Sequence, residues 1–226
     1  ENYQGSNAIA IGNYAGNTMQ TNDSIAIGHY TQQNGSGWGG IAIGRYAGRN
    51  QQQAQAIAIG GNAGNYNQGY HAVALGRYAG SYDQGQYAVA IGDQAGNYGQ
   101  GQGAVALGSF TGYQQGAYSV GIGYQTGAYD GSSALGEYQI AIGYQAGKVN
   151  QGTNSVAIGY QAGQTNQASG ALAIGYQAGY TNQSGLAISI GSFAGNSSQG
   201  SSGVAIGRQA GQTTQGQSSV AIGRQA

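Results

Sequence analysis

Few side chains in this sequence have the chemistry of an active site. Its two histidines, His29 and His71, have no Cys or carboxylate cluster at the spacing of metal ligands, so neither a zinc site nor a nucleophile–histidine triad is supported. The glycine-rich residues 99–103 lack the following helix and the Lys-Ser/Thr pair of a phosphate-binding loop. We therefore expect no enzyme, no cofactor and no metal.

Aromatic residues are better candidates for binding, because several of the nineteen tyrosines recur about one repeat apart and would form columns. The groups are Tyr14, Tyr30, Tyr46 and Tyr78; Tyr124, Tyr144, Tyr160 and Tyr176; and Tyr66, Tyr82 and Tyr98. Such rings can stack on one another and stiffen the protein, or stack on sugar rings while their hydroxyls form hydrogen bonds. Both interpretations stay open. The candidate surface-binding residues are Trp38, Tyr124, Tyr144, Tyr160 and Tyr176.

A repeated pentapeptide, Ala-Ile-Ala-Ile-Gly in its first copy at residues 8–12, must position these side chains. Eleven of the thirteen intervals between its glycines are sixteen residues long. The glycines are Gly12, Gly28, Gly44, Gly60, Gly76, Gly92, Gly108, Gly123, Gly143, Gly159, Gly175, Gly191, Gly207 and Gly223. Branched aliphatic residues alternate with alanine before each glycine, which is typical of a short strand. A fixed period of this length predicts an all-β solenoid, a parallel β-roll of about fourteen sixteen-residue coils.

Two further positions of each coil are regular. A second glycine follows four residues after the first, for example Gly163 after Gly159, and it marks a bend with a backbone conformation that other residues resist. Glutamine follows eight residues after the first glycine, as at Gln167. Glutamines in register predict a ladder of hydrogen-bonded amides along the stack of coils.

The strand has one face of branched residues and one of small residues, and we expect the branched residues to form the core. The predicted core residues are Ile11, Ile27, Ile43, Ile59, Ile91, Ile142, Ile158, Ile174, Ile206 and Ile222. The alanines between them would then form a flat apolar column on which three copies pack. The predicted interface residues are Ala10, Ala26, Ala42, Ala58, Ala74, Ala90, Ala106, Ala141, Ala157, Ala173, Ala205 and Ala221. The alternative is a monomer whose alanines tolerate exposure.

Composition limits the possible partners. The chain has 226 residues, 47 glycines, no proline, no cysteine and a formal net charge of zero from six basic and six acidic residues. The basic residues are scattered, so no stripe that neutralises phosphates is present and we expect no nucleic-acid partner. No apolar run reaches the roughly 18 residues of a membrane span, so we expect no membrane insertion.

The unit Asn154-Ser155-Val156-Ala157-Ile158-Gly159, followed by Tyr160-Gln161-Ala162-Gly163, resembles the head repeats of trimeric autotransporter adhesins. It is also similar to repeats in the fibre proteins of phages and large DNA viruses. The resemblance implies a left-handed parallel β-roll that is trimeric, extracellular and not an enzyme. The period of sixteen residues is longer than that of the usual adhesin-head unit.

Residues 1–226 are expected to form a single repeat array that belongs to a longer fibre protein. Its coils are irregular at residues 30–40 and 128–140, where an insertion on the surface is the simpler interpretation and a binding loop the other.

Three functions remain open. The first is an extracellular structural and adhesive fibre on a cell or virion surface, a stiff trimeric rod whose polar, Tyr-rich bends attach to a host glycan or protein. The second is a self-assembling homopolymeric filament or sheath subunit. The third is an ice-binding solenoid. The positions of the threonines argue against this function, since they are confined to the more variable half of the coil, as at Thr165 and Thr181.

Overall fold

The structure is a computed structural model that describes residues 3–127 and 136–226. For Tyr3 and Ser36 it describes the backbone but not the side chain. The described residues form short parallel strands and turns and contain no helix. The fold is a parallel β-solenoid of about 13 coils with a repeat of about 16 residues, as the sequence predicts. It is divided into two compact units, Glu1–Tyr113 and Gln114–Ala226.

The first unit contains strands β1 to β11. Their bounds are β1 Tyr3–Gln4, β2 Ile9–Ile11, β3 Met19–Gln20, β4 Ile25–Ile27, β5 Asn34–Ser36, β6 Ile41–Ile43, β7 Asn50–Gln52, β8 Ile57–Ile59, β9 Val73–Leu75, β10 Val89–Ile91 and β11 Val105–Leu107. The strands that end at the repeat glycine form one parallel ladder in the order β2-β4-β6-β8-β9-β10-β11. The polar half of the coil forms short second ladders, β1 with β3 and β5 with β7.

The second unit contains strands β12 to β21. Their bounds are β12 Val120–Tyr124, β13 Ile140–Tyr144, β14 Val149–Gln151, β15 Val156–Ile158, β16 Thr165–Gln167, β17 Leu172–Ile174, β18 Thr181–Gln183, β19 Ile188–Ile190, β20 Val204–Ile206 and β21 Val220–Ile222. The main ladder has the order β12-β13-β15-β17-β19-β20-β21, and β14-β16-β18 form the second. The irregular stretch 128–140 lies partly outside the described residues.

Each strand of a main ladder pairs in register with the equivalent strand one coil later. Ala157, for example, lies opposite Ala141 and Ala173. Where the repeat keeps the same residue type, that position of the coil therefore becomes a column of like side chains.

Both repeated glycines of the coil have backbone conformations that favour glycine. Gly159 has a φ of +130°, and a Cβ there would lie 2.5 Å from the carbonyl oxygen of Gly175 in the next coil. Gly163 has a φ of +50°, and a Cβ there would lie 2.6 Å from Oε1 of Gln167. Both positions have a left-handed backbone, and at Gly159 the backbone of the next coil leaves no room for a side chain.

The two faces of the strand are reversed relative to the sequence prediction. Alanines fill the interior: Ala26, Ala42, Ala58, Ala74, Ala90, Ala106, Ala157, Ala173 and Ala205 are 0% exposed and Ala141 is 1% exposed. Ala221 is half-buried and Ala10 is exposed. A side chain without exposed surface cannot contact another copy, so the predicted alanine interface is wrong for the buried positions.

The isoleucines assigned to the core point outward instead. Ile11, Ile91, Ile206 and Ile222 are exposed, and Ile27, Ile43, Ile59, Ile142, Ile158 and Ile174 are half-buried. The interior is too narrow for them, because a Cβ at the bend residue Gly48 would lie 3.1 Å from Cβ of Ala42. A larger inward side chain would overlap the opposite wall of the coil.

The largest fully buried side chains are glutamines and not aliphatic residues. They are Gln20, Gln32, Gln68, Gln84, Gln100, Gln115, Gln139, Gln151, Gln167, Gln183 and Gln199. Gln167 Nε2 donates to the carbonyl oxygens of Val156 and Ala171, at 2.8 and 3.2 Å, and lies 3.2 Å from Oε1 of Gln183. The predicted amide ladder is confirmed, and it lies inside the coil.

Candidate functional site

The outward face of the main ladder is apolar in both units. This aliphatic face consists of the first and third residues of each strand that ends at the repeat glycine. In the second unit these are Val120, Ile122, Ile140, Ile142, Val156, Ile158, Leu172, Ile174, Ile188, Ile190, Val204, Ile206, Val220 and Ile222. All are half-buried or exposed, and Ile122 and Ile140 are 36% and 37% exposed. Contiguous apolar surface of this kind is uncommon on monomers and typical of an interface.

Four of the predicted binding tyrosines form one stack in the second unit. In this tyrosine column the ring centroids of Tyr124, Tyr144, Tyr160 and Tyr176 follow one another at 5.4, 5.1 and 5.0 Å. The rings are nearly parallel, with interplanar angles of 14°, 7° and 5°. Phe193 meets Tyr176 edge-on at 5.2 Å. The prediction that these tyrosines stack on one another is confirmed.

Stacking determines what the tyrosine column can offer to a ligand. The ring faces within the column contact each other, so the exposed parts, about two fifths of each residue, are the ring edges and hydroxyls. A ladder of half-buried glutamines follows in the next residue of each coil, where Gln161 Nε2 donates to Gln145 Oε1 at 3.0 Å and Gln177 Nε2 to Gln161 Oε1 at 2.7 Å. This surface suits hydrogen bonding more than the stacking of sugars on ring faces.

Two shorter stacks of tyrosine rings lie in the first unit. Tyr66, Tyr82 and Tyr98 follow at 5.2 and 4.7 Å, and Tyr14, Tyr30 and Tyr46 at 4.8 and 5.6 Å. Tyr78 shares the coil position of the second stack but lies outside it, because Asn62 occupies the intervening coil. Burial raises the pKa of Tyr82 above its ordinary value of 10.0, and the phenols of Tyr98, Tyr66 and Tyr78 add to the shift.

Trp38, the remaining predicted binding residue, lies in the first unit and not with the tyrosine column. It is 52% exposed, and its indole N–H donates to Oδ2 of Asp23 at 2.9 Å. Its coil is the irregular one at residues 30–40. There Gln32 replaces the bend glycine, and its buried Nε2 donates to Oε1 of Gln52 at 2.7 Å.

Arginine side chains pack on the tyrosines of the first unit, which the sequence did not indicate. The Cζ of Arg45 lies 4.8 Å from the ring centroid of Tyr46, and that of Arg49 lies 5.1 Å from Tyr46 and 5.7 Å from Tyr30. The ring of His29 meets Tyr30 edge-on at 4.2 Å. We call Arg45, Arg49 and Tyr46 the arginine–tyrosine cluster. The spacing of Tyr30 and Tyr46 predicts the stack, but the positions of the two arginines in the sequence predict no contact with it.

Hydroxyl groups form a column in the polar half of the second unit. Thr165 pairs in register with Thr181, and parallel bridges continue to Ser197 and Thr213. The threonines are thus aligned, although the sequence suggested only a variable segment. Thr165, Thr181 and Ser197 are half-buried, and only Thr213 is exposed.

No group of three His, Cys, Asp or Glu side chains that could hold a metal ion occurs in residues 3–127 and 136–226. No helix in these ranges has the length and apolarity needed to cross a membrane.

The fold and the repeat define a β-solenoid repeat protein. The family model of the YadA head domain repeat matches residues 151–178 in two copies. The matched residues include Tyr160 and Tyr176 and the buried Gln167. The repeats at residues 151–178 are therefore similar to the YadA head domain repeat, as the sequence resemblance implied. A search of curated proteins finds no significant match.

Proposed function

We propose that this chain is part of an extracellular structural and adhesive fibre, in which three copies pack together on their aliphatic faces. The observation that carries the proposal is the outward aliphatic face of each unit. Two branched side chains per coil lie on the surface, while alanines and glutamines fill the interior. Burial of this face between copies would release about 25 cal/mol for each Å² of apolar surface removed from water.

The match to the YadA head domain repeat supports a fibre role for the same surface. Three copies around one axis would bring the same aliphatic face of each copy inward and leave the polar bends outward. The tyrosine columns then stiffen the fibre, and their edges and hydroxyls, together with Trp38, are available to a host surface. Enzymatic chemistry has no part in this proposal.

Single cysteines test the packing, since the natural sequence contains no cysteine. Ile158→Cys places a thiol on the aliphatic face, and Asn154→Cys places one at an exposed position of the same coil. A short bifunctional thiol cross-linker should join Ile158→Cys chains into covalent pairs at low protein concentration and leave Asn154→Cys chains single. Equal cross-linking of the two variants would contradict assembly on the aliphatic face. Circular dichroism on both variants checks that the fold is kept.

A further inference from the structure

We propose that the arginine–tyrosine cluster of the first unit is a binding site for an acidic sugar carrying a carboxylate or sulfate group. The inference deepens the adhesive part of the proposed function, because it names a ligand class and the residues that recognise it. It does not depend on the tyrosine column of the second unit.

The guanidinium of Arg49 is held in place before any ligand arrives. Its Nε donates to Oε1 of Gln33 at 2.9 Å, and its Cζ lies near the rings of both Tyr30 and Tyr46. Within the described residues its terminal nitrogens donate no hydrogen bond to protein. A planar fork that is fixed on one side and open on the other can bind a carboxylate or sulfate without losing much side-chain entropy.

Arg45 supplies a second positive charge to the same ring. Its Cζ lies 4.8 Å from the ring centroid of Tyr46, and its Nη2 donates a long hydrogen bond of 3.4 Å to the Tyr46 hydroxyl. Arg45 is exposed and Arg49 is half-buried. Two cations on one tyrosine concentrate positive charge in a chain of which only 5% of the residues are charged.

No carboxylate neutralises this cluster in the described part of the chain. The one ion pair there joins Arg77 to Asp93 at 2.9 Å. The other two aspartates of the first unit accept hydrogen bonds elsewhere, Asp23 from Trp38 and Asp83 from Asn67. The electrostatic attraction of Arg45 and Arg49 for anions is therefore uncancelled by a neighbour.

The size and surroundings of the cluster favour a sugar acid over a nucleic acid. Two guanidinium groups match one or two anionic groups, whereas nucleic acids need many phosphate contacts along the backbone. The neighbouring Tyr14 is 50% exposed and stacks on Tyr30 at 4.8 Å. Its ring edge and hydroxyl provide the mixed apolar and hydrogen-bonding contact that a sugar ring uses.

Arg77 offers a matched control. It occupies the same place in its coil as Arg45 and lies over Tyr78 with its Cζ 5.3 Å from the ring centroid. It differs in its ion pair with Asp93, which also raises the pKa of the Arg77 guanidinium through a hydrogen bond and charge attraction. Replacing Arg77 removes one positive charge and one contact with a tyrosine ring, as replacing Arg45 does. It removes no open anion site, because Arg77 is already paired with Asp93.

The test measures binding of the full chain to four polymers at low ionic strength: hyaluronan, which carries carboxylates; dextran sulfate; neutral dextran; and single-stranded poly(dT). We expect binding to hyaluronan, dextran sulfate or both, and none to dextran. The double variant R45Q/R49Q should bind about tenfold more weakly or worse, and R77Q within about twofold of the natural chain, as for an exposed pair. The variant R45K/R49K keeps the positive charges but loses the planar guanidinium groups, so its affinity should lie between those of R45Q/R49Q and R77Q.

Binding of only one acidic polysaccharide supports the site and identifies its anionic group as carboxylate or sulfate. The proposal is overturned if no acidic polysaccharide binds, if dextran or poly(dT) binds as tightly, or if R77Q loses as much affinity as R45Q/R49Q. The mass of each variant in solution separates this site from the proposed assembly. A trimer that binds no acidic polysaccharide would contradict the binding site alone. A monomer that binds hyaluronan would contradict the proposed assembly alone.

Discussion

Buried glutamine has the role in this protein that large aliphatic residues have in most cores. Gln84 is 2% exposed, and its Nε2 donates to the carbonyl oxygen of Val73 at 2.9 Å, with longer contacts of 3.3 and 3.2 Å to Ala88 and Gln100. Buried donors such as this Nε2 need partners of this kind. The position of glutamine in the repeat predicted the ladder, but not that the ladder would be enclosed.

Gln84→Leu should destabilise the first unit by about 1–3 kcal/mol, because buried acceptors lose their donor. Gln86→Leu is the matched control, since Gln86 lies two residues away and is exposed. Thermal unfolding followed by circular dichroism measures both variants. Equal midpoints for the two leucine variants would contradict a structural role for the buried amide.

Tyr82 gives the first unit a dependence on alkaline pH. Because its pKa is raised mainly by burial, the folded state favours the neutral phenol. As the pH rises above the ordinary pKa, the unfolded chain ionises first, so stability is complete below that pKa and decreases above it. We expect Tyr82→Phe to lose less stability than the natural chain between about pH 9 and about pH 11, measured by urea unfolding. An identical alkaline loss in Tyr82→Phe would show that other groups cause it.

At the scale of the strand, the sequence predicted the alternation but not which face lies inside. Alternation follows from the two-residue period of a strand, so Ile25 and Ile27 necessarily share one face and Ala26 takes the other. The choice between the faces depends on the width of the coil, which follows from tertiary packing. Two glycines within five residues and a wall of alanine leave an interior that accepts small side chains and a flat amide. The expectation that large side chains are buried was therefore the wrong rule here.

The backbone conformations of the bend residues could not be predicted from the sequence either. Tyr46 and Gln161, each two residues after a repeat glycine, have φ values of 59° and 52°. Such left-handed conformations are unusual for residues other than glycine, asparagine and aspartate. In this fold, ring stacking between coils accompanies the conformation at Tyr30 and Tyr46. A rule based on single residues would have placed glycine there.

The tyrosine column should contribute to stability as a unit. Tyr160 stacks on Tyr144 at 5.1 Å and on Tyr176 at 5.0 Å, and each such pair is worth about 0.5–1.5 kcal/mol. Tyr160→Ala should therefore lower the free energy of unfolding of the second unit by about 1–3 kcal/mol. Tyr160→Phe keeps the ring and should change it little, as chemical denaturation would show. A loss in Tyr160→Phe equal to that in Tyr160→Ala would assign the stability to the hydroxyl.

At the scale of the whole molecule, the sixteen-residue period was sufficient to predict a parallel β-solenoid. It fixes the length of the coil and the register, so identical residues stack and columns of Tyr and Gln follow. The arginine–tyrosine cluster was not predictable in this way. Arginine recurs at the position of Arg45 in only a few coils, and no other coil has an arginine at the position of Arg49. Their contact with Tyr46 depends on side-chain direction within one bend. Periodic features of the fold were thus accessible from the sequence, and local ones were not.

Because the two strand faces are reversed, we still expect copies of the chain to associate, but through the branched residues and not through the alanines. An interface of exposed alanines would have allowed two copies to approach closely but would have buried little apolar surface. The branched residues that are exposed instead, among them Leu75 at 41% and Ile91 at 37%, give a larger apolar area and a stronger drive for assembly.

The absolute mass of the chain in solution, measured by light scattering over a range of concentrations, tests the central claim most directly. Assembly of three copies on the aliphatic face predicts a constant mass of about 68 kDa, three times the 22.7 kDa of one chain. The variant Ile158→Glu/Ile174→Glu, which places charges on that face, should remain folded and shift toward 22.7 kDa. A natural chain that stays at 22.7 kDa at all concentrations would contradict the account, and a mass that grows without limit would indicate a filament instead.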